Sequence, residues 1–130
     1  MKLFCVGLGS AVGGTARFAL NQLPFEFGVG AFPVSTLIIN LSGSLLIGYL
    51  LGSCGGSGAA GPHPHKWHFW MTGVCGGYTT FSAFSLQLLE LIVSGHAQLA
   101  GFYAAASVGA GLIAVWIGIS WALGRQATKK

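Results

Sequence analysis

The sequence has almost no acid. Glu26 and Glu90 are its only carboxylate side chains, set against six Lys and Arg, and charged residues make up 6% of the 130 positions. Soluble domains carry about 25% charged residues. With 53% of the chain hydrophobic, composition argues against a soluble globular domain. The basic residues give a net charge of +4 but are scattered toward the ends. A nucleic-acid surface needs them clustered in a stripe, so no nucleic-acid partner is expected. The shortage of acid also counts against a proton-coupled exporter of the small multidrug type, which needs a carboxylate deep in the membrane. Glu26 falls in a connector and Glu90 near the end of an apolar segment. Cys5, Cys54 and Cys75 form no CxxC pair and are odd in number. They read as small packing residues, not as a disulfide or zinc set. The stretch PHPHKWH holds His63, His65 and His68 without acidic or Cys partners nearby, which is a poor metal site.

What fills the chain instead is four apolar segments, 3–23, 32–51, 67–93 and 99–123. Each has about 20 to 27 residues, enough for a helix to cross an apolar layer of about 30 Å. The pattern predicts one all-α membrane domain of four transmembrane helices covering residues 1–130. Met-Lys-Leu-Phe at the start resembles a signal peptide, but Arg17 follows too soon and the run is interleaved with Gly, so it is read as a retained first span. The connectors are a short one around Pro24–Gly30, a Gly-, Ser-, His- and Pro-rich loop over Gly52–Lys66, and Ser94–Gln98. Short connectors predict that sequential helices are antiparallel neighbours. Gly9 and Gly13, Gly48 and Gly52, and Gly73 and Gly77 are each four apart, a spacing that lets helix backbones approach. Ala104, Ala105, Ala106, Gly109 and Gly111 extend this to the fourth span. Such a thin bundle has little interior, so oligomerisation is the expected way to build a site.

Polar residues inside the spans are the candidate functional groups. Arg17 is either an anchor reaching for the interface or an anion attractor in a vestibule. Asn40, with Thr36 and Ser44 one turn to either side, forms a stripe that is either interhelical packing or a pore wall. Tyr103 and Ser107 are also four apart; Tyr103 also suits an interfacial belt, as do Trp67 and Trp70. In the third span, CGGYTTFSAFS combines Gly76 and Gly77 with Thr79 and Thr80, residues that weaken a helix. A break there would free backbone carbonyls, and carbonyl plus Thr oxygens suit a hard cation such as Na⁺. Phe81 and Phe84 share one face; they are either core packing or a pair of electropositive ring edges beside an anion.

Taken together, these residues resemble the fluoride-specific ion channel family, Fluc or CrcB. GSAVGGTARF, ending in Arg17, is similar to its first-helix signature, and STLIINLSGSLLIG to its second-helix motif with Asn40. GVCGGYTTFSAFS is similar to its third-helix signature, and YAAASVGAG to the fourth-helix stretch carrying Tyr103 and Ser107. The resemblance implies a passive channel and no enzyme, located in the cell (inner or plasma) membrane. It implies an antiparallel dimer with two fluoride pores. Asn40, Phe81, Phe84, Ser107 and Tyr103, with Thr36, Thr80, Ser82 and Arg17, would line the anion path. It also implies a structural, non-transported Na⁺ held at Gly76 and Thr79. Ala83, Gln87 and Gly111 depart from the family pattern and thin the polar track, which raises the alternative of a non-conducting or one-pore subunit. Lys2, Lys66, Arg125, Lys129 and Lys130 fall on one side of a four-span topology, which favours a single orientation and therefore an oppositely oriented homologous partner. A homodimer and such a heterodimer both stay open.

Overall fold

The computed structural model describes residues 1–22, 32–54 and 64–128. The connectors around Pro24 and before His63, and residues Glu26, His63, Lys129 and Lys130, lie outside them. The elements are α1 (Lys2–Asn21), α2 (Val34–Ser53), α3 (Pro64–Trp67), a π-helical segment (His68–Cys75), α4 (Gly76–Tyr78), α5 (Phe81–Val93) and α6 (Ala97–Ala127). Three of them, α1, α2 and α6, are continuous helices long and apolar enough to cross a membrane. The expected third span is composite, because α5 has only 13 residues and a single helical crossing needs about 20.

The interruption falls on the two threonines, not on the glycine pair. Gly76 is helical at φ −67° and ψ −35°. Thr79, at φ −75° and ψ 157°, and Thr80, at φ −147° and ψ 121°, are extended. Extended backbone suits a β-branched residue, whose χ1 freedom is restricted inside a helix. Helix α5 restarts at once because the Thr80 hydroxyl accepts from the Ala83 N–H at 3.1 Å, which is an N-cap.

Glycine decides which helices touch. A Cβ at Gly13 would overlap the Val74 carbonyl and sit 2.8 Å from the Tyr78 nitrogen; one at Gly9 would lie 2.9 Å from the Gly73 Cα. On the other side, a Cβ at Gly48 would lie 2.9 Å from the Val115 Cα, and one at Gly52 would lie 2.8 Å from the Ala122 Cβ. All three glycine pairs predicted from spacing therefore sit at backbone contacts. Gly109 faces open space, and the close contacts of α6 are made lower down, at Gly118 and Ala122. The register makes both main pairings parallel and non-sequential: α1 runs beside the π-helical segment, and α2 beside α6. The closest pairings are thus not those expected from sequence order, although sequential spans also touch, α2 against the third span at Asn40 and Thr80 and α5 against α6. There the link is tight because Gly95 takes φ +85°, with the His96 N–H on Leu91 O at 2.8 Å and the Gly95 N–H on Ile92 O at 3.1 Å, the Schellman pattern. Gln126 of α6 caps the end of α2, donating to the Ser53 carbonyl at 2.9 Å.

The apolar side chains point outward. Phe4, Phe18, Leu89, Val93, Phe102, Leu112 and Trp116 are all exposed, whereas the tightest packing is backbone on backbone. In water such a surface would aggregate. With three continuous apolar helices, it marks a multi-pass membrane protein.

Candidate functional site

A cavity of about 570 Å³ opens beside the break. α2 contributes Asn40, Ser44 and Ile47; the third span contributes Met71, Cys75, Gly76, Thr79 and Thr80. Phe81 and Phe84 come from α5, and Ser107 and Val108 from α6. Among the described residues, no charged side chain lines it.

Asn40 closes the break. Its Nδ2 donates to the Thr80 carbonyl at 3.0 Å, and its Oδ1 accepts from the Thr80 N–H at 2.9 Å. The side-chain amide thus pairs with extended Thr80 as a neighbouring strand would. Leaving both backbone groups unpaired at this depth would cost about 1–3 kcal/mol each. The second amide hydrogen of Asn40 is left for the cavity.

This pairing has a consequence one turn back. In an unbroken helix the Thr80 N–H would bond the Gly76 carbonyl and the Ala83 N–H would bond the Thr79 carbonyl. The first instead goes to Asn40 and the second to the Thr80 hydroxyl. The Gly76 and Thr79 carbonyls are therefore both released from helical bonding. Gly76 is exposed, and among the described residues nothing outside its own helical turn lies within 4 Å of where its Cβ would be. The Thr79 hydroxyl turns inward to the Cys75 carbonyl at 2.9 Å.

Around the cavity the aromatic groups form a continuous ladder. The rings of Phe81 and Phe84 are 5.7 Å apart, and those of Phe84 and Tyr103 are 5.2 Å apart. Tyr103 is fully buried and donates from its hydroxyl to Gln87 Oε1 at 3.0 Å. It is thus an internal strut and no interfacial belt residue. Ser107 Oγ is buried and has no hydrogen-bond partner among the described residues.

Comparison with known proteins gives the arrangement its place. The family model "CrcB-like protein, Camphor Resistance (CrcB)" matches residues 4–119. This chain belongs to the CrcB family. It is 45% identical over 114 residues to a protein of Paramagnetospirillum magneticum named fluoride-specific ion channel FluC, covering 87% of this chain and 88% of that one. It is 43% identical over 118 residues to a FluC of Methylocella silvestris, covering 91% and 90%. A FluC of Opitutus terrae is 40% identical over 124 residues, covering 95% and 94%.

Of the site residues predicted for this CrcB protein, Asn40, Thr80, Phe81, Phe84, Ser107, Gly76 and Thr79 come together around the cavity. Ser82 stands just outside it, 3.1 Å from the Thr80 hydroxyl. Tyr103 reaches it only through Phe84. Thr36 is buried within α2, and Arg17 is half-buried near the end of α1; neither lines the cavity. The Asn40–Thr80 pairing was not legible in the sequence, since the two residues are 40 positions apart.

Proposed function

We propose that this CrcB chain forms a fluoride-selective channel that lets cytoplasmic fluoride run passively out across the cell (inner or plasma) membrane. The observation that carries this reading is the cavity itself: set between the spans, mostly apolar but holding a few hydrogen-bond donors beside aromatic rings, and free of charged side chains among the described residues. A carboxylate there would repel an anion, and a fixed cation would hold it too firmly to leave. Fluoride is small and strongly hydrated, so stripping its shell is costly without replacement donors. The free Asn40 N–H, the Ser107 hydroxyl and the ring edges of Phe81 and Phe84 supply them. Neutral hydrogen fluoride enters through lipid and ionises inside, and the channel returns the anion.

The single chain leaves its break half open, with the released Gly76 carbonyl at an exposed position. In this reading two copies meet there, antiparallel, about one Na⁺ that is not transported. Carbonyls freed at Gly76 and Thr79 are the hard, neutral donors such an ion takes. Bound there, it would satisfy backbone groups that lipid cannot.

Purified protein in liposomes tests the reading. Fluoride efflux should be fast and chloride efflux undetectable. Phe84→Ile, which keeps apolar bulk and loses the ring edge, should lower fluoride efflux by about tenfold or more. Replacing Na⁺ with a large organic cation should reduce the rate, with no Na⁺ carried at any time. Equal chloride and fluoride rates, or measurable Na⁺ flux, would contradict the assignment.

The charge distribution supports a second reading, of an obligate partner chain. Lys2, Lys66 and Arg125 are exposed at the ends where α1 and α3 begin and α6 finishes, and Lys129 and Lys130 follow in the sequence. This bias favours insertion with both termini in the cytoplasm. An antiparallel pair would then require a homologue of opposite bias. Single cysteines placed next to Lys2 and at Ser94, labelled from outside intact cells, distinguish the two. Labelling at Ser94 alone means a fixed orientation and a partner chain, whereas equal labelling means a dual-topology homodimer.

A further inference from the structure

Asn40, Ser44 and Ile47 follow one another at i, i+4 and i+7 along α2, and all three line the cavity. Opposite them, α6 offers Ser107 and Val108, and its next turn carries Gly111. A Cβ at Gly111 would meet one neighbour within 4 Å, the Ser44 Oγ, at 3.7 Å. At this level α6 has no side chain, and the space in front of its backbone belongs to the Ser44 hydroxyl. One turn away, the Ser107 Oγ is buried without a partner among the described residues. A buried hydroxyl left unpaired is costly unless something entering the cavity completes it. Beyond Asn40 and Ser107 the walls turn apolar, with Ile47, Val108 and Met71. Among the lining residues at that level, the hydroxyls an ion leaving the first donors could meet are those of Ser44 and, on the third span, Thr72.

We propose that Ser44 is a further anion-contacting residue of the path, completing with Ser107 a two-hydroxyl station in place of any side chain at position 111. This rests on the channel reading above. Alanine is a better helix former than serine, so Ser44→Ala should not disturb the fold. In liposomes holding the full chain, Ser44→Ala should lower fluoride efflux about tenfold, the effect of losing one hydrogen bond to an ion at the barrier. Ser44→Thr, which keeps the hydroxyl, should stay near the wild-type rate. Combining Ser44→Ala with Gly111→Ser should recover the rate, because a hydroxyl returns to the same space from the other helix. A helix-packing role for Ser44 would not be rescued from α6. Ser44→Ala at the wild-type rate overturns the proposal, as do Ser44→Thr and the double variant both as slow as Ser44→Ala. A wild-type chain that carries no fluoride overturns the channel reading and this proposal with it; a conducting wild type with an unaffected Ser44→Ala removes Ser44 alone.

Discussion

Asn40→Asp is expected to suppress fluoride efflux by about a hundredfold or more, corresponding to about 3 kcal/mol at the barrier. Two effects add. The carboxylate still accepts the Thr80 N–H, but its other oxygen would face the Thr80 carbonyl, where Nδ2 now donates at 3.0 Å. Acceptor against acceptor at low dielectric loses a hydrogen bond and adds repulsion. The carboxylate also places negative charge on the cavity wall, beside an anion that the neutral amide was donating to. Stopped-flow fluoride efflux from liposomes measures the first quantity, and melting of the detergent-solubilised protein measures how far the break itself is loosened. Efflux within about threefold of wild type would mean that Asn40 neither holds the break in its conducting form nor touches the path.

The second large effect is on assembly of the helices. Gly13→Ala should destabilise the folded chain by about 3 kcal/mol, because the added methyl meets backbone, which cannot rotate away. It would overlap the Val74 carbonyl and lie 2.8 Å from the Tyr78 nitrogen. The π-helical segment would have to move off α1, and the Thr79–Thr80 break with it. Gly14→Ala is the control. Its new Cβ would come no closer than 4.0 Å to its nearest neighbour, the Gly77 carbonyl oxygen, and alanine favours the helix. Thermal unfolding in detergent should show a lowered Tm and reduced monodispersity for Gly13→Ala, with Gly14→Ala unchanged or slightly raised. Equal losses from both would mean that α1 packs in a different register.

Much of this protein could be read without coordinates. The scarcity of charge and the lengths of the apolar runs determined that the chain crosses a membrane, because lipid tolerates few other compositions over about 20 residues. Glycines four apart determined which faces come closest, because a missing Cβ is a local property that needs no partner to be recognised. The motif around Phe81 and Phe84, and the stripe through Asn40, named residues that the fold brings together at one cavity.

Only the tertiary structure decided how those parts are used. Within the CGGYTTFSAFS stretch it put the break at Thr79 and Thr80, leaving Gly76 helical and Gly77 packed against Ser10. It paired parallel, non-sequential helices, since backbone contact across glycines outweighs the short link between neighbours in sequence. It turned Tyr103 inward onto Gln87 and left the Ser107 hydroxyl without a partner among the described residues. The Asn40–Thr80 pairing and the approach of Ser44 to Gly111 join residues on different helices. No periodicity along one helix carries such information, because a hydrogen bond between two spans depends on their relative register and rotation, which exist only once the bundle has packed.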